Sequence, residues 1–366
     1  MLTLASKLFG SQINIIEDAT PVASLVKAIV PDNWKRGLRE RFLPLRVNHV
    51  FGPRQVSLAN NEAAVTCVVK NGEFYLDSFV EHYFHMGFRH IYFLDNGSTD
   101  KTIELARRHG NVTVYESKLP IEAYQAIFKK GLAEMAVPAG WCLDADIDEY
   151  FDYPFSYEVS LSKFLEYLNR GSYTAVLTQM LDMFSERPLA ALAHKMPQEN
   201  LKEVYRYYDV SEVSMVDYRI AELTRSYAPN NQISNENTCL CFGGIRKTLF
   251  GINCLLSKHS LFRTGEDLEL FPHVHFVNNA RVADVSCALL HYKLVSNAYE
   301  TALQNKKAFS STSRGYSDLM QLIEIRPEQR IKTGTAVEFH TVADLLESNL
   351  LFLSNDYRQY AKVGGF

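Results

Sequence analysis

Apolar runs and helical segments alternate regularly between residues 63 and 146, and this pattern limits the possible folds of the chain. The apolar runs are continuous, as in strands buried on both faces of a parallel sheet, and they cover 63–69, 89–95, 111–117 and 140–146. Apolar residues recur at helical spacing in the segments between them, which are 74–87, 98–110 and 120–136. Strands alternating with helices in this way predict an α/β fold with a doubly wound, mainly parallel sheet.

Ligands of such sheets bind beyond the carboxyl ends of the strands, so we expect the chemistry to lie there. Two acidic segments occupy such positions. LDNGSTDKT (94–102) follows the second predicted strand, and LDADIDEYFDY (143–153) ends the fourth. A further helix near 158–169 and strands at 173–181 and 284–294 continue the pattern.

The main domain is predicted to span 62–295, between an N-terminal helical extension (1–61) and a helical C-terminal tail (296–366). Within it, 184–237 is polar, rich in Tyr and Asn, and interrupted by proline. Such a composition is typical of an inserted lid or recognition region.

Charge and hydropathy exclude several classes of protein. The chain carries 38 Lys+Arg against 42 Asp+Glu, a net charge of −4, which argues against a nucleic-acid binder. No apolar run approaches the roughly 18–20 residues of a membrane span. Glu17 and Asp18 interrupt any signal-like apolar core near the N-terminus. The sequence therefore predicts a cytoplasmic protein without a nucleic-acid partner.

Six cysteines in a chain of 366 residues do not indicate a disulfide framework. Cys239 and Cys241 form a C-x-C with Cys254 downstream, so a soft-metal site is conceivable, but no zinc-type spacing completes it. Buried reduced thiols are the favoured interpretation.

A basic amphipathic segment, NWKRGLRERFLPLR (33–46), stands out in the N-terminal extension. Its basic residues are Lys35, Arg36, Arg39, Arg41 and Arg46. Such a helix can dock on anionic lipid, which would make the protein peripheral to the inner face of a membrane. The alternative, which the residues alone favour, is a solvated helix packed on the main domain.

The segment 143–153 is the strongest candidate for chemistry. Its acidic side chains are Asp144, Asp146, Asp148, Glu149 and Asp152. At one strand end their mutual repulsion is costly unless a cation or positively charged groups lie nearby. Carboxylates two residues apart can hold one hard divalent ion, Mn²⁺ or Mg²⁺, with open positions for waters and phosphate oxygens. A solvated acidic loop or a helix cap is the alternative.

Asp95 ends the second predicted strand and is expected to project into the same crevice. There a carboxylate can accept hydrogen bonds from a base N–H or a ribose hydroxyl. By itself D-N-G-S predicts only a turn. Its position at the strand end makes Asp95 a candidate nucleotide contact.

VVKNGEFYLDSFVEHYFHMGFRHIYFLDNGSTDKT, followed by a D-x-D-E-Y segment, resembles family-2-type glycosyltransferases with the GT-A fold, the nucleotide-diphospho-sugar transferase type. The resemblance covers roughly residues 62–295 and is closest to the bacterial branch with a D-x-D-E-[FY] motif. It implies a nucleotide pocket lined by Thr66, Asn71, Glu73, Asp95 and Asn96. It also implies a metal-binding pair, Asp146 and Asp148. Asp144 is an alternative member, because LDAD fits the commoner family pattern.

Three later segments resemble further parts of this family. Arg246 in FGGIRKTLFG falls in a glycine loop near the donor, and Lys258 in LLSKHSLFR is a second candidate for the diphosphate. His291 in LLHYK resembles the histidine that completes metal or diphosphate binding. A surface hairpin, a solvated lysine and a structural histidine are the respective alternatives. His273 and His275 form an H-x-H in which His275 at most lines the pocket.

Transfer to a hydroxyl acceptor requires a general base. The candidates are Asp182 in MLDMF and Glu266 or Asp267 in RTGEDLEL, which resembles the x-E-D element of GT-A enzymes. An ordinary acidic turn is the alternative for the latter pair.

Together these motifs predict a metal-dependent glycosyltransferase that moves a sugar from a nucleotide donor, UDP-linked, to a hydroxyl acceptor. The resemblance implies inversion. A glycan, a lipid-linked molecule or a protein could accept the sugar, and its choice is expected to depend on 184–237 and the tail. A metal-dependent nucleotidyltransferase is one rival, although KNGEF stands where a basic glycine-rich loop would follow the first strand. A non-catalytic carbohydrate-binding protein of the same fold is the other.

Overall fold

The computed structural model describes residues 32–194, 200–308 and 313–364, and the chain divides after Leu45 into two units. In the first unit, helix α1 spans Asp32–Phe42 and so covers most of the predicted amphipathic segment, 33–46. A 3₁₀ turn over Leu43–Arg46 follows it. Within the described ranges, no helix combines the length and the apolar character needed to cross a bilayer.

The second unit is built on an 11-stranded, mainly parallel sheet with three small two-stranded sheets beside it. In chain order the strands are β1 (Asn48–Phe51), β2 (Ala63–Val69), β3 (His90–Asp95), β4 (Val112–Glu116), β5 (Gly140–Asp144), β6 (Glu149–Asp152), β7 (Ala175–Asp182), β8 (Tyr207–Tyr208), β9 (Val213–Asp217), β10 (Gln232–Ile233), β11 (Cys239–Gly243), β12 (Ser257–Thr264), β13 (Glu269–His273), β14 (Phe276–Asn278), β15 (Arg281–Val282), β16 (Cys287–His291) and β17 (Val337–Glu338).

The α-helices of this unit flank the strands in sequence. They are α2 (Leu76–His85), α3 (Thr102–Ala106), α4 (Ile121–Ala136), α5 (Leu161–Arg170), α6 (Leu201–Val204), α7 (Glu222–Tyr227), α8 (Ile245–Phe250), α9 (Ala298–Ala308), α10 (Ser313–Ile325), α11 (Asp344–Glu347) and α12 (Asn355–Gly364).

The order of the strands places a ligand crevice beside β2. The chain steps outward from β2 to β3 and β4, and then returns to β5 on the other side of β2. Beyond β5 the antiparallel strand β12 lies between β5 and β7, and β16 runs parallel to β7. Because the order reverses between β2 and β5, the carboxyl ends of these two strands border the crevice in which doubly wound sheets bind ligands.

The inner strands are continuous apolar runs because both of their faces are covered. Every residue of β3 and of β7 is buried. Trp141 on β5 is completely buried, and its indole N–H donates to Asn169 Oδ1 on α5 at 2.9 Å, so that its polar atom is satisfied within the core. This packing holds β5, and the acidic segment that follows it, in a fixed position.

The predicted alternation is confirmed between residues 63 and 146, with one helix shorter than predicted. α3 covers only Thr102–Ala106 of the predicted 98–110, because the Ser98 hydroxyl accepts the backbone N–H of Asn71 at 2.8 Å instead of starting a helix. The central antiparallel strand β12 and the short strand β6 were not predicted. The unit after Leu45 includes the residues before β2 and the tail, and the three-part organisation stays a prediction.

Candidate functional site

The acidic segment lies where the strand order reverses, directly after β5. The backbone N–H of Asp146 donates to Glu149 Oε2 at 2.8 Å, and β6 then begins at Glu149. The side chains differ in exposure: 1% for Asp144 and 3% for Glu149, against 39% for Asp146 and 21% for Asp148. Asp146 and Asp148 are therefore the carboxylates of this turn that a ligand can reach.

Two buried lysines neutralise the inner carboxylates. Lys129 Nζ donates to Asp144 Oδ2 at 2.8 Å and to Asp146 Oδ1 at 2.6 Å. Lys258 Nζ donates to Glu149 Oε2 at 2.8 Å and lies 3.1 Å from Asp144 Oδ2. Burial acts to lower the pKa of each ammonium group, but the adjacent carboxylates outweigh it and raise both pKa values. Both lysines are therefore charged.

These ion pairs compensate the repulsion between carboxylates that the sequence predicts for this segment. Burial acts to raise the pKa of Asp146, but Lys129 and Lys258 outweigh it and hold that pKa below its ordinary value. Asp146 is thus ionised, and its charge is compensated by groups of the same chain. Lys258, which the resemblance places at the diphosphate, is 1% exposed and directed at carboxylates in this structure.

Lys129 was not among the predicted site residues, although the sequence contains an indication of it. α4 buries Phe128, Leu132 and Ala133, and Lys129 lies on that apolar face, three and four residues before the last two. A lysine on the buried face of a helix requires a charged partner, because an unpaired buried ammonium group is very costly. The acidic segment provides the charged partners of Lys129.

A second series of charged groups connects Asp148 to β16, β7 and α8. His291 ends β16, and its Nδ1 lies 2.6 Å from Asp182 Oδ1 at the end of β7. Asp182 Oδ2 accepts a hydrogen bond from Arg246 Nε at 2.7 Å. On the other side, His291 Nε2 lies 3.4 Å from Asp148 Oδ2, longer than an ordinary hydrogen bond. The parallel register of β16 and β7 sets His291 opposite Asp182.

The protonation of these groups follows from their geometry. Burial acts to raise the pKa of Asp182, but Arg246 outweighs it and holds the pKa below its ordinary value, so Asp182 is a carboxylate that can only accept. His291 Nδ1 therefore donates to Asp182, which directs Nε2 at Asp148. Burial also acts to lower the pKa of His291, but Asp148 and Asp182 raise it to about 9. Asp182, predicted as a base, has both oxygens engaged and orients His291.

Asp148 and His291 face each other and could hold a divalent ion between them. A ligating histidine commonly donates one ring N–H to a carboxylate, as His291 does to Asp182, while its other nitrogen faces the ion. Oxygen and nitrogen donors with a partly exposed carboxylate nearby in the chain, Asp146, fit Mn²⁺ or Mg²⁺. Among the described residues, no group of three or more His, Cys, Asp or Glu side chains is placed to hold a metal. An ion at this position would therefore take its other ligands from phosphate oxygens and water.

Asp144 does not share this position. Its Oδ2 lies within 3.1 Å of both Lys129 and Lys258, and the side chain is 1% exposed. Of the two registers that the sequence left open, the geometry of the turn favours Asp146 and Asp148 as the accessible pair.

Arg246 is positioned by a pair of glycines. β11 ends at Gly243 and Gly244 follows it, and their φ values of 98° and 65° belong to the left-handed region that favours glycine. A Cβ on Gly243 would lie 2.4 Å from the carbonyl oxygen of Glu212. α8 then begins, and Arg246 enters the site with its side chain 15% exposed. Its Nη2 is buried and has no hydrogen-bond partner in the described part of the chain.

The loops after β2 and β3 are held together by hydrogen bonds of Asn71 and Asp95. Asn71 donates its backbone N–H to Ser98 Oγ, and its Oδ1 accepts the N–H of Thr99, both at 2.8 Å. Asp95 Oδ2 accepts the N–H groups of Gly97 and Ser98 at 3.0 and 2.9 Å. These bonds bring the predicted nucleotide residues of two separate strands into one wall of the crevice.

Two buried carboxylate oxygens at this edge have no hydrogen-bond partner among the described residues: Asp95 Oδ1 and Asp144 Oδ1. Both residues are 1% exposed, and a buried acceptor without a donor is costly. Their strands, β3 and β5, lie on either side of β2. A ligand that offers N–H or hydroxyl donors across the end of β2 is the kind of partner that these oxygens lack.

A polar cavity of about 270 Å³ lies between these loops and α9. It is lined by Asn71, Glu73, Phe74, Thr99, Asp100, Asn297, Glu300, Thr301 and Gln304. Gln304 reaches towards the loop, where its Oε1 accepts from Asn71 Nδ2 at 3.0 Å. None of these lining residues is basic, so the cavity suits a neutral group rich in hydroxyl or N–H donors better than a phosphate. The sequence indicated the tail, which contains α9, for choice of the acceptor and not for a wall beside the predicted nucleotide residues.

Two other predicted nucleotide residues have structural partners. Thr66 is completely buried within β2, and its hydroxyl lies 3.4 Å from the carbonyl oxygen of Leu143. Asn96 donates from Nδ2 to the carbonyl oxygens of Ser117 and Leu119 at 2.8 and 2.9 Å, which ties β3 to the loop after β4. Both residues therefore support the crevice from below in this structure.

The structure does not bring Glu266 and Asp267 to the acidic segment. They lie in the turn after β12, whose last residue, Thr264, pairs with Gly140 at the start of β5. The length of β5 therefore separates this turn from Asp144, about 13 Å at about 3.3 Å per residue. This position does not support their assignment as the base, because a base must reach the reacting hydroxyl.

The remaining histidine and cysteine candidates belong to no group of three or more metal-ligating side chains among the described residues. His275 Nδ1 lies 3.2 Å from the carbonyl oxygen of Ser257, and burial, aided by Lys258, lowers the pKa of His275 to about 3. Burial also lowers the pKa of His273. All six cysteines are free thiols; four are buried, as predicted, whereas Cys239 and Cys254 are only partly buried.

Comparisons with known proteins identify no family. No family model matches the chain, and no curated protein matches its sequence. The crystal structure of S. aureus TarS, a glycosyltransferase, is similar with a TM-score of 0.34 and 13% identity, and the match covers 72% of this chain and 44% of that one. The chain therefore spans less than half the length of TarS, and a likeness this low carries no argument about family or activity.

Proposed function

We propose that this protein is a metal-dependent glycosyltransferase that moves a sugar from a nucleotide donor, UDP-linked, to a hydroxyl acceptor. The observation that carries the proposal is the facing pair Asp148 and His291 beside the switch point of the sheet, with the histidine oriented by Asp182. The unpartnered oxygens of Asp95 and Asp144 support it, since a nucleoside offers the donors that they lack. That the transfer inverts the configuration at the anomeric carbon is proposed from the family resemblance alone.

Charge suggests how the donor lies along this edge of the sheet. The cavity beside α9 contains carboxylates and amides, which suit the hydroxyl and N–H groups of a nucleoside. The diphosphate belongs at the cationic part of the site, near His291 and the unpartnered Nη2 of Arg246. A divalent ion held by Asp148 and His291 would supply positive charge that stabilises the departing nucleoside diphosphate.

The surrounding groups keep this geometry in place before a substrate arrives. Lys129 and Lys258 hold the inner carboxylates of the turn, and Arg246 holds Asp182. Groups that are fixed in advance lose little free energy in reorganisation when charge develops on the leaving group. Acceptor recognition is proposed to lie in 184–237 and the tail, as the sequence indicates.

The test is the binding of UDP by isothermal titration calorimetry, with Mn²⁺ and with EDTA. We expect Mn²⁺ to tighten UDP binding in the wild type, and Asp148→Asn to weaken that binding at least about ten-fold, the effect of about 1.4 kcal/mol. Asp152→Asn is the matched control, because Asp152 lies in β6 and accepts from the backbone N–H of Tyr153. UDP binding of equal strength with EDTA, undiminished in Asp148→Asn, would contradict the assignment.

The product distinguishes the proposal from its rivals. A glycosyltransferase incubated with UDP-sugars releases UDP, whereas a nucleotidyltransferase forms or consumes pyrophosphate. Measuring both products with Mn²⁺ over a panel of nucleotide sugars decides between them. Tight UDP binding without turnover of any donor would favour a carbohydrate-binding protein.

A further inference from the structure

Helix α1 and the turn after it expose three large apolar side chains. Leu38, Phe42 and Leu45 are 52%, 39% and 78% exposed. They are spaced i, i+4 and i+7, so at about 100° per residue they lie within about 60° of one another around the axis. Single exposed apolar residues are common, but a continuous apolar face indicates a surface that another phase or molecule covers. These three residues are called the α1 stripe.

Basic residues border the α1 stripe on both sides. At about 100° per residue, Arg39 lies about 100° to one side of Leu38 and Arg41 about 60° to the other. The acidic residue Glu40 lies on the opposite side of the helix, where it forms an ion pair with Arg36 at 2.8 Å. Arg39 and Arg41 therefore border the stripe, and the ion pair of Arg36 with Glu40 lies behind it.

We propose that α1 lies in the surface of an anionic lipid bilayer, with the α1 stripe among the acyl chains and Arg39 and Arg41 at the level of the lipid phosphates. A helix in the plane of the interface needs an apolar face with cationic residues along its borders. The aliphatic part of an arginine side chain can lie along the apolar boundary while its guanidinium group reaches the phosphates. Anionic lipid headgroups provide the complementary charge on both borders at once.

The sequence favoured a solvated helix packed on the main domain over one that docks on anionic lipid. Leu38 and Phe42 are exposed, and an exposed apolar face is the feature that docking on lipid requires. The inference does not depend on the proposed enzymatic function, because it involves only residues of this segment.

The experiment is vesicle flotation of the full chain. We expect the protein to float with equimolar phosphatidylcholine and phosphatidylglycerol vesicles, to stay unbound with phosphatidylcholine alone, and to dissociate as NaCl is raised. The variant Arg39→Gln/Arg41→Gln should weaken partitioning about 25-fold, about five-fold for each arginine near the surface. The variant Leu38→Ser/Phe42→Ser should lose flotation.

The matched control is Arg36→Gln/Glu40→Gln, which removes the ion pair behind the stripe and should change partitioning less than about two-fold. Unchanged thermal unfolding of the sheet-containing unit would show that each variant is folded. Flotation that is absent in the wild type, or equal in all three variants, would overturn the proposal. So would a concentration-dependent dimer by light scattering that Leu38→Ser/Phe42→Ser abolishes while no form floats, since the stripe would then bind a second copy of the chain.

Discussion

Replacing Lys129 by methionine tests the charge balance of the acidic segment. Methionine keeps most of the length and the apolar stem of lysine but removes the ammonium group that donates to Asp144 at 2.8 Å and to Asp146 at 2.6 Å. Lys129 is 2% exposed, so water cannot take its place without opening the packing around α4. We expect the free energy of unfolding to fall.

The size of the loss follows from what remains after the substitution. Removing one partner of a fully buried ion pair costs roughly 3–5 kcal/mol. Here Asp144 keeps Lys258 at 3.1 Å, and Asp146 is 39% exposed and can be hydrated. We therefore expect a loss of about 2–3 kcal/mol, which shifts the urea midpoint by about 0.7–1 M at an m-value of about 3 kcal/mol/M.

Urea unfolding at pH 7 measures this loss, and two variants control it. Lys130→Met changes the neighbouring, partly exposed lysine of α4 and should cost less than about 1 kcal/mol. The double variant Lys129→Met/Asp146→Asn removes the orphaned charge and should recover about 1–2 kcal/mol. A cost of Lys129→Met below about 1 kcal/mol, or no recovery in the double variant, would refute the reasoning.

The same measurement has a pH dependence with a defined sign. The pKa of Asp146 is held below its unfolded value of about 3.9, so its ion pairs stabilise the fold above that pH and their contribution is lost as the pH falls further. Lys129→Met removes the main source of this contribution. The difference in stability between the wild type and the variant should therefore shrink progressively as the pH is lowered below about 4.

Three further predictions concern the site. Because the pKa of His291 is raised to about 9, its cationic form stabilises the metal-free fold, fully so below a pH of about 6.5. Urea unfolding in EDTA should therefore show a loss of about 2–3 kcal/mol of stability as the pH rises to about 9. His291→Asn should remove this pH dependence, and a flat profile in the wild type would contradict the raised pKa. Gln304→Ala should weaken UDP binding about five-fold by calorimetry, which corresponds to one hydrogen bond. Gln321→Ala, at an exposed position, should leave the affinity for UDP unchanged. Equal affinities of the two variants would show that α9 does not contribute to UDP binding. Gly72→Ala should cost about 1–3 kcal/mol in chemical unfolding, because its methyl group would lie 2.6 Å from a side-chain carbon, and a neutral effect would show that the loop after β2 can move aside.

The order of elements could be predicted because it depends on local pattern. Continuous apolar runs indicated β2 to β5 within one or two residues of their observed bounds. β12 escaped prediction because its sequence, SKHSLFRT, contains lysine, histidine and arginine, although nearly all of it is buried. Its polar residues are accommodated by partners elsewhere: Lys258 by Glu149, and His259 by the hydroxyl of Tyr218 at 3.0 Å. A local pattern cannot show such partners.

The site residues show the same limit. The resemblance indicated the acidic segment and His291, and the fold does bring Asp148 and His291 together. It also indicated Lys258 and Glu266 by their place in the chain, and the structure puts the first among carboxylates and the second at the other edge of the sheet. The direction of β12 decides this outcome. Because β12 runs antiparallel to β5, its beginning lies at the carboxyl end of β5, and the turn after it lies at the opposite edge of the sheet.

Local sequence pattern is enough to show that this chain alternates strands and helices and that its acidic residues follow a strand at the ligand edge of the sheet. Which of those residues a ligand can reach depends on contacts between distant parts of the chain. Lys258 and Glu149 are 109 residues apart in the chain, as are His291 and Asp182, yet each pair is in direct contact. Periodicity is a property of neighbours along the chain, whereas the ionisation of a buried group depends on charges that reach it through space in a medium of low dielectric constant.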